Sequence, residues 1–268
     1  MNSAFKKISD EYINVAFPIN NDLQLWQVFL PSAIKIYLEK YPNQINLQSS
    51  GFYAYDINTK TSIVLLKNFN KISEIKTHEL ELNRCNFFQW VQILSIVRLY
   101  NSIEDLLIHS IQLKYFNNLS LVLKNRKQVN AIKNSIQKNL VNNDIVPSRN
   151  NNKYLIDFIK LKSPTAANFF QLKTYSIPKS TWEDFFEFIS IIRHIIVHNG
   201  MIVSTEERSN INSKFKEMFT LYFQLKKNVD GFMTLQINEK TGVVNIISMC
   251  NDFALNTAKF IFELDAMP

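Results

Sequence analysis

Glycine and proline are scarce in this 268-residue chain, at 4 and 7 copies. A fold of many short strands needs both residues at its turns, so the shortage argues against a sandwich or barrel and for long helices joined by few turns. Cysteine is scarcer still. Cys85 and Cys250 stand far apart, with no second Cys at metal-ligand spacing and no disulfide framework, and read as free buried thiols of a reducing compartment. Also missing is any uninterrupted apolar run of membrane-spanning length. The first twelve residues carry Lys6, Lys7, Asp10 and Glu11 where a leader would be apolar. A cytoplasmic protein with no membrane partner is expected.

What is present is a globular composition. Apolar residues make up 46% and Phe alone counts 21, enough for a core that needs no staples. The net charge of +7 is compatible with a polyanionic partner, because each neutralised phosphate releases counterions. The excess is mostly Lys and widely spread, so a solvated lysine surface accounts for it equally well. Arginine is confined to Arg84, Arg98, Arg126, Arg149, Arg193 and Arg208.

Along 21–41, Leu23, Trp26, Leu30, Ile34 and Leu38 repeat at helical spacing, with Pro31 bending the pattern, which predicts one or two short helices. The runs 51–56 and 62–66 flank Ile57-Asn58-Thr59-Lys60 as a hairpin, and 71–84 forms a third strand or a loop. Asn86 opens a long helix whose apolar stripe runs through Trp90, Ile93, Val97, Tyr100, Ile103, Leu107 and Ile111. Arg98, Asn101, Ser102, Asp105 and His109 share another face, expected to be solvated. A basic amphipathic helix covers 121–140 and a polar loop 141–153; helices follow at 154–162 and 165–175. Ser180-Thr181-Trp182-Glu183 has the pattern of a capping box and starts a strongly apolar helix that ends at Asn199-Gly200. One helix is expected over 206–229, a hairpin of 232–237 with 243–249, and a last helix from Asp252 to about Leu264.

The apolar helix before Asn199 contains Arg193-His194-Ile195-Ile196-Val197-His198. Burying three cationic or titratable groups without partners would cost several kcal/mol, so such a run needs a reason, and a site that uses the groups is one. At about 100° per residue His194 and His198 lie about 40° apart and Arg193 and His198 about 140° apart. The long Arg stem is still able to bring its guanidinium to the same cleft. His198 sits in the last turn, where the helix dipole favours an imidazolium. RNA offers a matching reaction, in which the 2′-hydroxyl attacks the adjacent phosphate once a base takes its proton and a cation stabilises the phosphorane. An acid must also protonate the leaving 5′-oxygen, and a second copy of the helix across a two-fold axis would supply it.

The run from Arg193 to Gly200 resembles the R-polar-x-x-x-H motif of HEPN domains, all-helical modules of the HEPN ribonuclease family. The resemblance covers roughly 86–265. It implies a HEPN-like helical bundle over 86–268; the small peripheral β-hairpins and the N-terminal α/β extension over 1–85, which complete a mainly α fold, fall outside the resemblance. It also implies a homodimer whose paired motifs cut RNA without a metal or other cofactor, in a toxin or anti-phage abortive-infection effector, with an antitoxin or defence-system protein as possible partner. Arg193 and His198 match the motif's fixed positions and His194 its polar slot.

The competing readings are structural. Arg193 would bond helix-terminal carbonyls and His198 would be a satisfied core histidine, with Asn199-Gly200 as a plain terminus. His-x-x-x-His also suits a metal, yet zinc wants three or four ligands, and neither His78 nor His109 belongs to a ligand motif. The alternative from another class is a non-catalytic HEPN-like module that binds RNA, a nucleotide or a protein.

Overall fold

The computed structural model describes residues 3–40, 46–47, 53–56, 61–64, 75–76, 86–116, 126–148, 152–228, 230–238 and 242–262. Among the described residues the chain is mainly helical, with nine helices and three two-stranded antiparallel sheets. No helix there is long and apolar enough to cross a membrane. Packing divides the chain into two compact units, Leu23–Trp90 and Met1–Asp22 with Val91–Pro268. That division differs from the boundary drawn between residues 85 and 86, because the first half of the first helix belongs to the larger unit.

That helix, α1 (Ser3–Lys40), runs unbroken for 38 residues instead of forming one or two short helices over 21–41. In the larger unit Ile8, Tyr12, Ala16 and Ile19 are buried at spacings of three and four, a stripe strong enough to carry the helix through Pro18. The smaller unit holds β1 (Asn46–Leu47), β2 (Tyr53–Asp56), β3 (Thr61–Val64) and β4 (Ile75–Lys76). β2 and β3 pair antiparallel with Tyr53 opposite Val64, as the hairpin reading expects, while its turn at 57–60 lies outside the described residues. Of 71–84 only β4 is described, and it is a strand, antiparallel to β1.

α2 (Asn86–Tyr115), in the larger unit from Val91 on, buries Ile93, Tyr100, Ile103, Leu107 and Ile111 of its expected stripe, whereas Trp90 is 50% exposed and Val97 is only partly buried. Its other face is not simply solvated. α1 covers part of it, so Ser102 is buried and His109 Nδ1 lies 3.1 Å from Glu11 Oε2. Then come α3 (Arg126–Val141), α4 (Lys153–Lys162), α5 (Pro164–Gln171) and α6 (Trp182–His198). Ser163 Oγ accepts the Ala166 amide with Pro164 in the first turn, which fixes the start of α5. α5 stops at Gln171, short of 175, because Leu172 turns extended and Lys173 bridges to Thr181.

The C-terminal third departs from expectation. The segment 206–229 is not one helix but α7 (Thr205–Lys214), α8 (Lys216–Tyr222) and β5 (Phe223–Lys227). β5 pairs with β6 (Met233–Ile237), Leu225 opposite Leu235, so Asp230-Gly231 turns a hairpin instead of ending a helix. The expected second strand at 243–249 belongs to α9 (Val244–Ile261), which begins eight residues before Asp252. Burial decides it: Ile246, Ile247, Cys250, Phe253, Ala254, Thr257, Ala258 and Ile261 form one helical face.

Phe253 anchors the core. Its ring centroid lies 5.2 Å from Phe186, 5.9 Å from Phe170 and 6.4 Å from Phe185, so α5, α6 and α9 close on one aromatic cluster. Cys250 is a free buried thiol whose pKa burial pushes up to about 12; Cys85 lies outside the described residues.

Candidate active site

α6 is what the core holds in place. Its first turn is fixed by a capping box one residue later than the sequence pattern suggests: Thr181 Oγ1 accepts the Asp184 amide at 3.1 Å, and Asp184 Oδ2 accepts the Thr181 amide at 2.9 Å. Glu183, three residues after Ser180, is instead engaged by Lys160 and Lys153, and Asp184 closes the box on Thr181. From there Trp182, Phe185, Phe186, Phe188, Ile189, Ile192, Ile195 and Ile196 are buried.

The last turn emerges from this packing. His194 and His198 are exposed and Arg193 is half-buried, so the basic run does not lie among the isoleucines. His194 and His198 share a stripe of α6 that the core leaves uncovered, and Arg193 reaches them from another face. There Arg193 Nη1 and His198 Nε2 stand 3.3 Å apart, and the rings of His194 and His198 have centroids 4.8 Å apart. The guanidinium has swung round the helix to meet a side chain five residues on. Arg193 Nε is buried with no hydrogen-bond partner among the described residues, and none of the three side chains has an ion pair there. An unmatched guanidinium donor of this kind marks a place where an acceptor is missing.

Beyond His198 the chain is pinned. Asn199 caps the helix, and Gly200 and Met201 both take positive φ, at 57° and 69°. A Cβ on Gly200 would meet nothing within 4 Å, so its backbone angle, not its space, favours glycine. Val203 N–H donates to Met233 O at 2.9 Å and Leu235 N–H to Met201 O at 2.8 Å, strapping the turn to β6. A second capping box, Ser204 with Glu207, starts α7. Its carboxylate does more than cap: Oε2 accepts the Ser204 amide at 2.8 Å, and Oε1 accepts Asn199 Nδ2 at 2.6 Å.

Arg193, His194 and His198 share one wall of a cleft of about 680 Å³. Glu206, Glu207 and Asn210 line it from α7, Gln137 from α3, and Ser148 and Asn152 from the segments around α4. Asn152 donates to the Tyr100 hydroxyl at 2.9 Å, and that hydroxyl donates to Ser190 Oγ at 3.0 Å. Burial, against those hydrogen bonds, pushes the Tyr100 phenol up to about 12, so it stays a neutral donor. Tyr100 reads from the sequence as a core residue only, since apolar spacing carries no sign of where its hydroxyl points. The Ser204-x-x-Glu207 box, by contrast, has a recognisable pattern. His109 is elsewhere, paired with Glu11, and His78 lies outside the described residues. Among the described residues no three of His, Cys, Asp and Glu come together as a metal site.

No family model, curated protein or solved structure matches this chain.

Proposed function

We propose that the chain is an endoribonuclease of the HEPN kind, a helical bundle that cuts RNA as a homodimer and works without a metal, in a toxin or anti-phage defence role. The observation that carries this reading is the 3.3 Å approach of Arg193 to His198 in the lining of a cleft, with no carboxylate paired to either among the described residues. Arg193 Nη1 and His198 Nε2 stand within hydrogen-bond distance, and Arg193 Nε is left without an acceptor among the described residues. A phosphate diester seated against them satisfies the donors.

In the proposed reaction His198 takes the proton of the ribose 2′-hydroxyl and the 2′-oxygen bonds to phosphorus. The bond from phosphorus to the 5′-oxygen breaks, and that oxygen takes a proton from an imidazolium. The products are a 2′,3′-cyclic phosphate and a 5′-hydroxyl, with no change of oxidation state. Proton transfer of this kind contributes about 10²–10⁴ in rate. Arg193 binds the non-bridging oxygens as charge builds on them, and His194 adds positive potential and orients the ring beside it. Attack and departure lie on opposite sides of phosphorus, whereas His194 and His198 lie on one wall, so the acid comes from a second copy of the motif. That makes the homodimer part of the proposal.

The test is cleavage of total cellular RNA in EDTA by the wild type, His198→Ala and Arg193→Ala, with the ends of the products determined. Cyclic phosphate ends, and a loss of at least about 10²-fold in each variant, are expected. Equal activity in His198→Ala, or a metal requirement, rejects the mechanism; a strictly monomeric active species rejects the shared site. RNA binding without cleavage would leave only the non-catalytic module.

A further inference from the structure

The cleft continues past the basic wall. Gln137 on α3 lines it and also lines a neighbouring cavity of about 780 Å³. The loop after α3 behaves the same way, with Pro147 in the wall of the cavity and the next residue, Ser148, in the wall of the cleft. The two hollows adjoin at two separate points, one on a helix and one on a loop.

Their linings differ in kind. The cleft has Arg193 and two histidines together with two carboxylates, Glu206 and Glu207, whereas the cavity has one cation, Lys138, and one carboxylate, Asp144. It has no surplus charge to hold a phosphate. Its polar lining is instead amide: Asn134, Gln137 and Asn142 each offer a carbonyl acceptor and two N–H donors. Beside them lie Val141 and Val146, 58% and 89% exposed, which give an apolar surface next to the amides. Mixed donors and acceptors against an apolar face suit a planar heteroaromatic ring, whose edges mix donors and acceptors in the same way. Six of its nine described lining residues are exposed, so the hollow is open and a ring held there keeps one face to solvent.

We propose that this cavity is a nucleobase site, which holds the base of the nucleotide adjoining the scissile phosphate while the phosphate lies against Arg193 and His198. The placement of the phosphate rests on the ribonuclease reading; the base site rests on the cavity itself. No aromatic ring is among the described lining residues, so stacking contributes little and the amides carry recognition. The consequence is choice among bases at modest affinity.

Binding of the four ribonucleoside 3′-monophosphates to the full chain, measured by calorimetry beside inorganic phosphate, tests this. One base is expected to bind about tenfold or more tightly than the least favoured. Asn134→Ala with Asn142→Ala, both at exposed positions, levels that ranking while leaving inorganic phosphate binding and the melting temperature unchanged. Arg193→Ala does the reverse, weakening all four while preserving their order. Equal binding of the four bases, or a ranking that survives the double substitution, overturns the base site. RNA cleavage by the wild type is followed in parallel. Ranked binding without cleavage sinks the ribonuclease reading and supports the base site, whereas cleavage with unranked binding does the opposite.

Discussion

At its first turn α6 sets two carboxylates against partners: Asp184 closes on Thr181, and Glu183 meets Lys160 at 2.8 Å and Lys153 at 3.1 Å. At its last turn the same helix sets Arg193, His194 and His198 beside one another with no ion pair among the described residues. The helix dipole favours both placements, acid at the start and base at the end, so helix electrostatics accounts for the signs. It does not account for the partners being present at one end and absent at the other. The first end uses charge to hold the fold together, and the second holds charge ready for something outside it.

Stability and activity therefore separate along α6. The largest effect belongs to the core beneath both ends. Phe253→Ala removes the ring on which Phe170, Phe185 and Phe186 converge and is expected to cost about 3–5 kcal/mol in denaturant unfolding. His198→Ala, at an exposed position, is expected to stay within about 0.5 kcal/mol of the wild type. A loss above about 1 kcal/mol at His198 would break the comparison and return the residue to a structural role.

The same contrast governs what was legible in the sequence. The apolar stripe of α6 and its end at Asn199-Gly200 follow from spacing and from the left-handed terminus, both local properties. The basic run was readable as residue types, but the sequence placed it among buried isoleucines, whereas the fold leaves the stripe of His194 and His198 open. Exposure depends on which neighbours a helix acquires, and no single segment records that. Tyr100 and Ser190 meet across 90 residues for the same reason. The misread stretch from Thr205 to Val244 shows a second limit: Asp230-Gly231 ends a helix or turns a hairpin equally well, and the β5–β6 pairing decides between them.

The two capping boxes sharpen the comparison at the next level. Both satisfy helix N-terminal amides, and losing either side chain is expected to cost about 1 kcal/mol. Asp184→Ala should do only that. Glu207→Ala also releases Asn199, the residue next to His198, and loosens the turn that carries the imidazole. We expect cleavage by Glu207→Ala to fall about tenfold or more, through kcat more than KM, at a stability equal to that of Asp184→Ala. Glu207→Gln, which keeps an acceptor for Asn199, should recover most of the loss. Equal kinetics in the two alanine variants would remove Glu207 from any part in positioning His198.

The smallest effect tests the matched end alone. Burial works against ionisation of Glu183, but Lys160 and Lys153 outweigh it and hold the carboxyl below the usual range; Lys153, despite its own burial, is shifted up by Asp157 and Glu183. A carboxyl lowered in the folded state stabilises fully above its unfolded value, about 4.3 for glutamate, and loses that contribution as pH falls through the lower folded value. Glu183→Gln should therefore be about 0.5–1 kcal/mol less stable at pH 7, with the gap to wild type closing below about pH 4. RNA cleavage at pH 7 should not change, since Glu183 serves the end of α6 away from the cleft. A gap that persists into strong acid would mean that packing, not the ion pairs, makes Glu183 matter, and the first turn would then owe its order to the Thr181–Asp184 capping box and the aromatic core.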